Sequence, residues 1–359
     1  MKKTRVKLIK AFFVLFFSLV IMVLTIYNYE LSPVSKDSKK IEVEIKSGMS
    51  KKAIASLLEQ KGIIRSATFF NIYVKLSGTP NLYASTYLLS KNMGVRKIVE
   101  VLNKGNNYNP EGISITFPEG IHMRKLAKII SKNTNNSYED VLNKANDSNY
   151  LKKQIEKYWF LTDEILDTKI YYKLEGYLYP DTYAFDNKNV SVETIFDKML
   201  EQTNQVLSSY KKDIEKSKYS THELLSLASM VELEGSTMEY RKAIAGVFYN
   251  RLKIKMSLGS DVTTYYAFKI EMNERDLTTQ ELNTYNAYNT RGPNMGGKIP
   301  VGPICNVSKE SIEAVLYPKK HDYYYFVADK NGKVYFSKTS REHEKTIGEI
   351  KRKGDWIQW

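Results

Sequence analysis

Residues 227–252 read LASMVELEGSTMEYRKAIAGVFYNRL, an apolar segment that glycine breaks once and that carries two glutamates at the break. The apolar spacing on either side of Gly235 predicts two amphipathic helices. Ser236 and Glu239 have the S-x-x-E spacing of a capping box, which predicts that the second helix begins at Ser236. Glu232 and Glu234 end the first helix. Their charge, in an otherwise apolar run, makes both of them candidates for chemistry.

The composition is typical of a folded protein with more than one domain. The chain has 359 residues, of which 42% are hydrophobic and 26% are charged, and this is enough for two or three domains. Its formal net charge is +14, and five basic residues precede any acidic one: Lys2, Lys3, Arg5, Lys7 and Lys10. The other charges are spread along the chain without a basic stripe interleaved with aromatics, so we expect no nucleic-acid partner.

Cysteine and histidine usage indicates neither a disulfide framework nor a metal site. The single cysteine, Cys305, excludes an intramolecular disulfide and a CxxC metal site. The four histidines are scattered without HExxH or HxxEH spacing: His122, His222, His321 and His343. We therefore expect no metal and no cofactor.

Residues 11–29 predict a membrane-spanning helix. They begin with AFFVLFFSLVIMVLTIY, a run without a charge that would span about 26 Å as a helix, close to a bilayer's hydrocarbon thickness. The basic residues in 1–10 place the N-terminus in the cytoplasm by the positive-inside rule. A cleaved signal peptide is the alternative, but the apolar run exceeds a typical h-region and no A-x-A-like cleavage site follows. We expect a single-pass anchor in the cell membrane, with everything after it outside the cytoplasm.

Beyond a polar linker at 30–40, the pattern predicts an α+β fold. Residues 41–110 read as strand, helix, helix, strand and helix, which is either a general packing domain or a LysM-like glycan-binding module. A connecting α/β region occupies 111–200, including one segment, 174–185, that is either a sugar-stacking aromatic platform or ordinary sheet surface. A single helix is expected over 192–216. Residues 201–359 hold the helix pair, a long Asn-, Gly-, Pro- and Tyr-rich loop, and a hairpin around Asn331 and Gly332.

Helical geometry separates the two glutamates. Positions two apart on a helix differ by about 200°, so Glu232 and Glu234 cannot face the same ligand, and both flank the apolar stripe. One interpretation is that they are partly exposed acids neutralised by Arg241, Lys242 or Arg251. The other is that one of them lies in an apolar cleft that raises its pKa, so that it can protonate a glycosidic oxygen. Periodicity alone does not choose between them.

Motifs along the chain resemble, in the same order, those of the endolytic murein transglycosylase family, the YceG-like family. The most specific are LASMVELE (227–234), AGVFYNRL (245–252) and LGSDVTTYY (258–266). Three motifs precede them: ASTY (84–87), PEG (118–120) and EGYLYPDT (175–182). Five features follow: YNT (288–290), PVGPI (300–304), YFVA (325–328), Phe336 and His343.

The resemblance implies a membrane-anchored enzyme with a LysM-like module and a mixed α/β catalytic domain at 201–359. Its expected reaction cleaves MurNAc-β-1,4-GlcNAc bonds inside nascent peptidoglycan strands, leaves 1,6-anhydroMurNAc ends and terminates strand elongation. Glu232, the first glutamate of the family's V/I-E-x-E motif, is implied as the catalytic acid and base. The positions implied to bind substrate or shape the cleft are Glu234, Asn250, Arg251, Asp261, Thr263, Tyr288 and Asn289.

The implied partners are peptidoglycan glycan strands, the membrane through residues 11–29, and peptidoglycan synthases with division and elongation proteins. The chain departs from the family pattern at Val262, where proline is usual, at Arg291 with the extra residues 292–298, and at Ser85. These changes bear on the expected sugar subsites more than on the acid. A non-catalytic peptidoglycan-binding scaffold is the alternative function. A cytoplasmic cofactor-dependent lyase conflicts with the expected topology.

Overall fold

A computed structural model describes residues 2–46, 48–79, 81–105 and 112–356, with side chains from residue 13 onward. The chain divides into two compact units, Met1–Gly112 and Ile113–Trp359. Within the described residues there are fifteen α-helices and three two-stranded antiparallel sheets. The architecture is therefore mixed α/β, with small sheets and one N-terminal apolar helix.

The first helix, α1 (Lys2–Leu31), is the only one in the described part of the chain that is long and apolar enough to cross a membrane. Its apolar stretch is Phe13–Leu31, 19 residues with a mean hydropathy of 1.8. Side chains such as Leu15, which is 74% exposed, point away from the helix without protein around them. A helix with this surface needs an apolar surrounding, which is the property of a membrane anchor and of a signal sequence alike.

The rest of the first unit is built from two strands and three helices around a small core. In order they are β1 (Lys40–Ile45), α2 (Lys51–Gln60), α3 (Ala67–Leu76), β2 (Ser85–Ser90) and α4 (Val95–Lys104). The two strands pair antiparallel with Val43 opposite Tyr87, and both side chains are fully buried. Gly105 ends α4 at a φ of 63°, a left-handed conformation that glycine adopts without strain. The predicted order of strands and helices is confirmed.

The second unit begins with β3 (Ile113–Thr116), which pairs antiparallel with β4 (Thr182–Phe185). Three helices lie between them, α5 (Met123–Asn133), α6 (Tyr138–Ala145) and α7 (Ser148–Lys157), followed by a 3-10 turn at Asp163–Leu166. Two further helices come after β4, α8 (Val192–Ser208) and α9 (Lys211–Lys216). The single helix expected over 192–216 is therefore wrong. Two adjacent serines, whose side chains compete for the backbone, precede the break, and buried Tyr210 turns the chain inward.

The C-terminal part of this unit holds the helix pair of the opening motif, α10 (Thr221–Glu234) and α11 (Met238–Lys253). The elements that follow are α12 (Asp261–Ala267), α13 (Thr279–Asn283), α14 (Lys309–Leu316), β5 (Tyr325–Ala328), β6 (Val334–Ser337) and α15 (Ser340–Arg352). Helix α14 packs against both α10 and α11. The predicted hairpin is present as the antiparallel pair β5–β6, and residues 284–308 form the predicted long loop without helix or strand.

Two details of the helix pair differ from the sequence prediction. Every residue from 224 to 232 is buried, so α10 is a central core helix and not an amphipathic one. The second helix begins at Met238, because Thr237 accepts the Tyr240 N–H and acts as its N-cap in place of Ser236. The chain stays extended after Gly235, which moves the cap one residue along. Glu239 instead pairs with Lys319 at 3.1 Å.

The aromatic segment 174–185 is largely core. Tyr177 is fully buried and stacks on Phe160, and Tyr183 is buried in the β3–β4 sheet beside Phe117. Neither ring presents a face to a sugar. The interpretation as a sugar-stacking platform is therefore wrong for these two tyrosines, because their rings pack inside the hydrophobic core of the second unit.

Candidate active site

The C-terminal end of α10 carries both glutamates of the opening motif. A capping box between Ser220 and Glu223 fixes the start of this helix, and the Gly235 N–H donates to the Val231 carbonyl at its end. Glycine is required at 235 because a Cβ there would lie 2.7 Å from the Arg241 Cγ. The chain can therefore turn tightly and bring Arg241 of α11 back beside the end of α10.

Glu232 lies in a hydrogen-bond network with Arg241 and Ser308, which we call the Glu232 network. Its Oε1 accepts from Arg241 Nη2 at 2.8 Å, and its Oε2 accepts from the Ser308 backbone N–H at 2.8 Å and from the Ser308 hydroxyl. Arg241 also donates to the Ser308 hydroxyl at 3.0 Å and to the Gly235 carbonyl at 2.9 Å. The Glu232 side chain is 4% exposed and that of Arg241 13%. The carboxyl is thus held by donors on both oxygens.

The loop that delivers Ser308 is held by buried polar contacts. Asn306 is fully buried, and its Oδ1 accepts from the Gly176 and Leu178 N–H groups at 2.9 and 3.2 Å. Gly176 has a φ of +82°, and a Cβ there would meet Pro303 at 2.3 Å, so only glycine fits. These contacts fix the backbone just before Ser308, which then caps α14 and faces Glu232.

An exposed turn lies beside the Glu232 network. The Gly120 N–H donates to the Asn306 carbonyl at 2.9 Å, and the Asn306 N–H donates to the Ile121 carbonyl at 2.8 Å. Burial raises the pKa of Glu119 in this turn, and the negative charges of Glu232 and Glu310 raise it further. The turn therefore adds the carboxyl of Glu119 to the surroundings of Glu232.

Glu234 points to a different loop, as helical geometry predicted for residues two apart. Its Oε1 accepts from the Ser260 hydroxyl at 2.5 Å. Burial raises its pKa to about 7, the Ser260 hydrogen bond opposes this, and the negative charge of Asp261 adds to it. Asp261 itself is half exposed and forms an ion pair with Arg291. Glu234 is thus a glutamate for which burial raises the pKa of the carboxyl, as one of the two interpretations expects.

Four of the other predicted positions hold backbone segments in place. Asn250 Nδ2 donates to the His321 and Tyr323 carbonyls at 2.9 Å each. Buried Arg251 donates to the Tyr324 and Leu258 carbonyls at 2.6 Å each. Asn289 is fully buried, and its Nδ2 donates to the Thr284 carbonyl at 2.8 Å. Thr263 Oγ1 pairs with Thr290 Oγ1 at 2.8 Å and accepts the Thr290 N–H.

Tyr288, the last predicted position, is a core residue. It is fully buried, and its ring lies 4.9 Å from the Tyr171 ring and 4.8 Å from the Tyr266 ring. The structure therefore places Glu234, Asp261, Thr263 and Asn289 around the start of α12 and the neighbouring segment 289–291. It leaves Glu232 apart from them, in its own network.

The two residues that contact the Glu232 carboxyl, Ser308 and Arg241, were indicated unequally by the sequence. The sequence does not predict a site role for Ser308, because its place before the apolar helix α14 indicates a cap and not a contact with Glu232. Arg241 was one of three cations considered for neutralisation, and it is the one that pairs with Glu232. Among the described residues, no three His, Cys, Asp or Glu side chains form a group that could hold a metal ion.

Comparison with known proteins shows which family this sequence matches. Residues 43–349 match the model of the YceG-like family. The chain belongs to this family. A Bacillus subtilis protein named endolytic murein transglycosylase is 39% identical over 323 residues, which is 88% of this chain and 86% of the relative.

Two further matches extend the comparison. A Streptococcus pneumoniae protein of the same name is 31% identical over 90% of this chain, although the chain spans only 61% of that longer relative. A crystal structure of a yceG-like protein from Listeria monocytogenes, at 37% identity, matches with a TM-score of 0.61. It covers 86% of this chain and 100% of the solved one. The family resemblance read from the motifs is confirmed.

Proposed function

We propose that this chain is an endolytic murein transglycosylase, a lyase that cleaves MurNAc-β-1,4-GlcNAc bonds of peptidoglycan strands and leaves 1,6-anhydroMurNAc ends. The family membership and the printed names of the relatives support this activity. The position of Glu232 supports its assignment as the catalytic residue. It lies at the end of a central helix, and hydrogen-bond donors hold both of its carboxyl oxygens. A carboxyl held in one orientation suits repeated proton transfer at one point of a substrate.

In the proposed mechanism Glu232 acts twice. As an acid it gives its proton to the glycosidic oxygen, and the bond from that oxygen to C1 of MurNAc breaks. The carboxylate then takes the proton of the C6 hydroxyl of the same sugar, while the C6 oxygen bonds to C1 and closes the anhydro ring. The proton lost in the first step is regained in the second. No water is consumed, so one carboxyl is sufficient.

Glu234, Asn250, Arg251, Asp261, Thr263, Tyr288 and Asn289 are proposed to shape the cleft. The contacts of Asn250, Arg251 and Asn289 with backbone carbonyls, and that of Thr263 with Thr290, support a shaping role, since they hold the segments on which sugar subsites would form. Residues 201–359 are proposed as the catalytic part, with 111–200 as its connecting region, which belongs to the same compact unit from Ile113 onward. For residues 41–110 we propose a LysM-like glycan-binding module.

We further propose that residues 11–29 anchor the protein in the cell membrane as a single pass, with 1–10 in the cytoplasm and the catalytic part outside. The length and hydropathy of α1 and the basic residues before it support this topology. Recruitment by peptidoglycan synthases and by division or elongation proteins rests on the family resemblance. Copurification of such partners from solubilised membranes would test it.

The test of the function is product analysis. Detergent-solubilised full-length protein is incubated with uncrosslinked glycan strands, and the new ends are identified by mass spectrometry. We expect internal cuts with 1,6-anhydroMurNAc ends and no activity in Glu232→Gln. Reducing MurNAc ends would indicate hydrolysis, and full activity of Glu232→Gln would remove the proposed acid. Glycan binding without any cleavage by the wild type would favour the non-catalytic scaffold.

A further inference from the structure

The two oxygens of Glu232 are held unequally. Oε2 accepts two hydrogen bonds, both from Ser308, one from its backbone N–H and one from its hydroxyl. Oε1 accepts one, from Arg241 Nη2 at 2.8 Å. A carboxylate oxygen offers about two lone-pair positions. Ser308 therefore fills both positions of Oε2, whereas no second donor from the described part of the chain reaches Oε1, the oxygen beside the guanidinium.

The donors are themselves held. Arg241 Nε donates to the Gly235 carbonyl at 2.9 Å and Nη1 to the Ser308 hydroxyl at 3.0 Å, so the guanidinium is oriented from two further sides. The Ser308 hydroxyl also accepts the Ser311 N–H in the first turn of α14 at 3.3 Å. With 4% and 13% of their side chains exposed, Glu232 and Arg241 have little freedom to rotate. The arrangement thus defines which oxygen of Glu232 is available.

We infer that Arg241 and Ser308 are positioning residues for the proposed reaction, with Ser308 directing the transferable proton to Oε1 and Arg241 stabilising the carboxylate left when that proton is donated. This inference rests on the proposed function. The cation next to Oε1 makes proton release to the glycosidic oxygen easier, because the charge that develops on Glu232 is already paired. After the C6 hydroxyl returns a proton, the same oxygen carries it for the next cut.

The charge and the shape of Arg241 have separable effects. Removing the Arg241 cation favours the protonated form of the Glu232 carboxyl. In Arg241→Gln, the pH at which kcat/KM declines on the alkaline side is therefore expected to rise by about one pH unit. The kcat of this variant falls by about tenfold or more, since the acid is weaker and less well oriented. Arg241→Lys keeps the positive charge but loses the planar guanidinium with its several N–H donors. The alkaline limb of the kcat/KM–pH profile is therefore expected to stay in place while kcat falls.

Ser308 provides a second, independent readout. Ser308→Ala removes the hydroxyl that joins Oε2 to Arg241 but changes no charge. We expect kcat to fall by about tenfold with KM within twofold and with the alkaline limb unmoved. Ser308→Thr keeps a hydroxyl that can also cap α14, and it is expected to recover most of the activity.

The experiment measures glycan cleavage by full-length wild type and these four variants from pH 5 to pH 9, with folding checked by circular dichroism and thermal unfolding. Lys242→Gln is the matched control, since it removes one positive charge from the adjacent position of α11, about 100° around the helix. We expect its profile to equal that of the wild type.

An alkaline limb in Arg241→Gln that coincides with that of Lys242→Gln would overturn the inference. So would wild-type kcat in folded Ser308→Ala. If Arg241→Gln does not fold, the inference is tested with Arg241→Lys and Ser308→Ala. An undiminished kcat in either variant overturns the inference. Absence of cleavage by the wild type would instead remove the proposed function itself, so the two failures are distinguishable.

Discussion

Glu232 and Glu234 lie two residues apart on one helix, yet their carboxyl groups have opposite surroundings. Glu232 is held by a guanidinium, a backbone N–H and a hydroxyl, which come from α11 and from the start of α14. Glu234 has one hydroxyl donor, from Ser260, and a neighbouring negative charge, Asp261. Both carboxyls are removed from solvent, but Glu232 is fixed by three donors, whereas the burial of Glu234 is offset only in part by the Ser260 hydroxyl and by the charges of Arg291 and Arg251.

The difference shows that the desolvation of a carboxyl and its orientation by hydrogen-bond donors are separate properties. Burial raises the pKa of Glu234 to about 7, and it does the same for Glu175, a fully buried carboxyl that accepts from the Met123 N–H and the Tyr266 hydroxyl. A search for carboxyls with a perturbed pKa would therefore find Glu234 and Glu175. The Glu232 network distinguishes Glu232 by the orientation of its carboxyl instead.

The largest expected effect is on activity. Glu232→Gln is expected to lower glycan cleavage by at least about 100-fold, because the proposed acid is removed. Glu234→Gln is expected to stay within about tenfold of the wild type, because Gln resembles the protonated form of this buried acid. Release of soluble fragments from uncrosslinked strands measures both. A larger loss in Glu234→Gln than in Glu232→Gln would reverse the assignment.

The second effect is on stability against pH. The pKa of Glu234 rises from 4.5 to about 7 on folding, so the folded state binds the proton more tightly, and stability from this group is lost as pH rises between these values. The loss is about 2–3 kcal/mol. The free energy of unfolding of the wild type minus that of Glu234→Gln should therefore fall from pH 5 to pH 8.

Denaturant titrations at the two pH values measure this difference. Glu175 contributes to the wild type in the same direction, because its pKa is also raised to about 7. It is present in both proteins, so subtraction isolates Glu234. A difference that is flat or rises with pH would mean that Glu234 is not desolvated as described.

A smaller effect concerns the hydroxyl donor of Glu234. Ser260→Ala should cost about 1.5 kcal/mol at pH 8, where the acceptor is ionised, and less at pH 5. Activity should stay within twofold, in contrast to Ser308→Ala. Ser226→Ala is a matched control, since this buried hydroxyl donates only to the His222 carbonyl at 2.7 Å, and its cost should not vary with pH. Equal pH dependence in both variants would refute the contact.

The smallest effect belongs to Asp261→Asn. Removing this negative charge should lower the pH at which the Glu234-dependent stability is lost by less than about one unit. The ion pair with Arg291 is half exposed, so its own loss should change the free energy of unfolding by less than about 1 kcal/mol. Titrations in low and high salt would detect both. A shift to higher pH would contradict the stated direction.

Local patterns in the sequence predicted much of the fold. The helix break at Gly235, the two strands of the first unit and the hairpin around Asn331 and Gly332 follow from periodicity and turn residues, because those signals act within a few positions. The amphipathic assignment of α10 was wrong for a physical reason. Ser226 and Ser229 look polar in a periodicity analysis, yet their hydroxyls bond to carbonyls of their own helix and they lie fully buried in the core.

The candidate site was predictable only in part. Helical angles correctly separated Glu232 from Glu234, and the motifs named the region around both. The contact with Ser308 joins positions 76 residues apart, and no local pattern carries such information. Which of the three nearby cations pairs with Glu232 also depends on the tight turn after α10. The extended residues after Gly235 set the direction of α11 and so bring Arg241 beside Glu232.

That long separation has a consequence for the timing of activity. Glu232 is synthesised well before Ser308, so a growing or truncated chain that ends in the loop preceding α14 has the carboxyl without the residue that holds Oε2. The helix pair can form early, since its contacts are local, whereas the closing of a long loop comes late in folding. A newly made chain would thus carry an incomplete Glu232 network, which is completed only when the C-terminal segment has folded back.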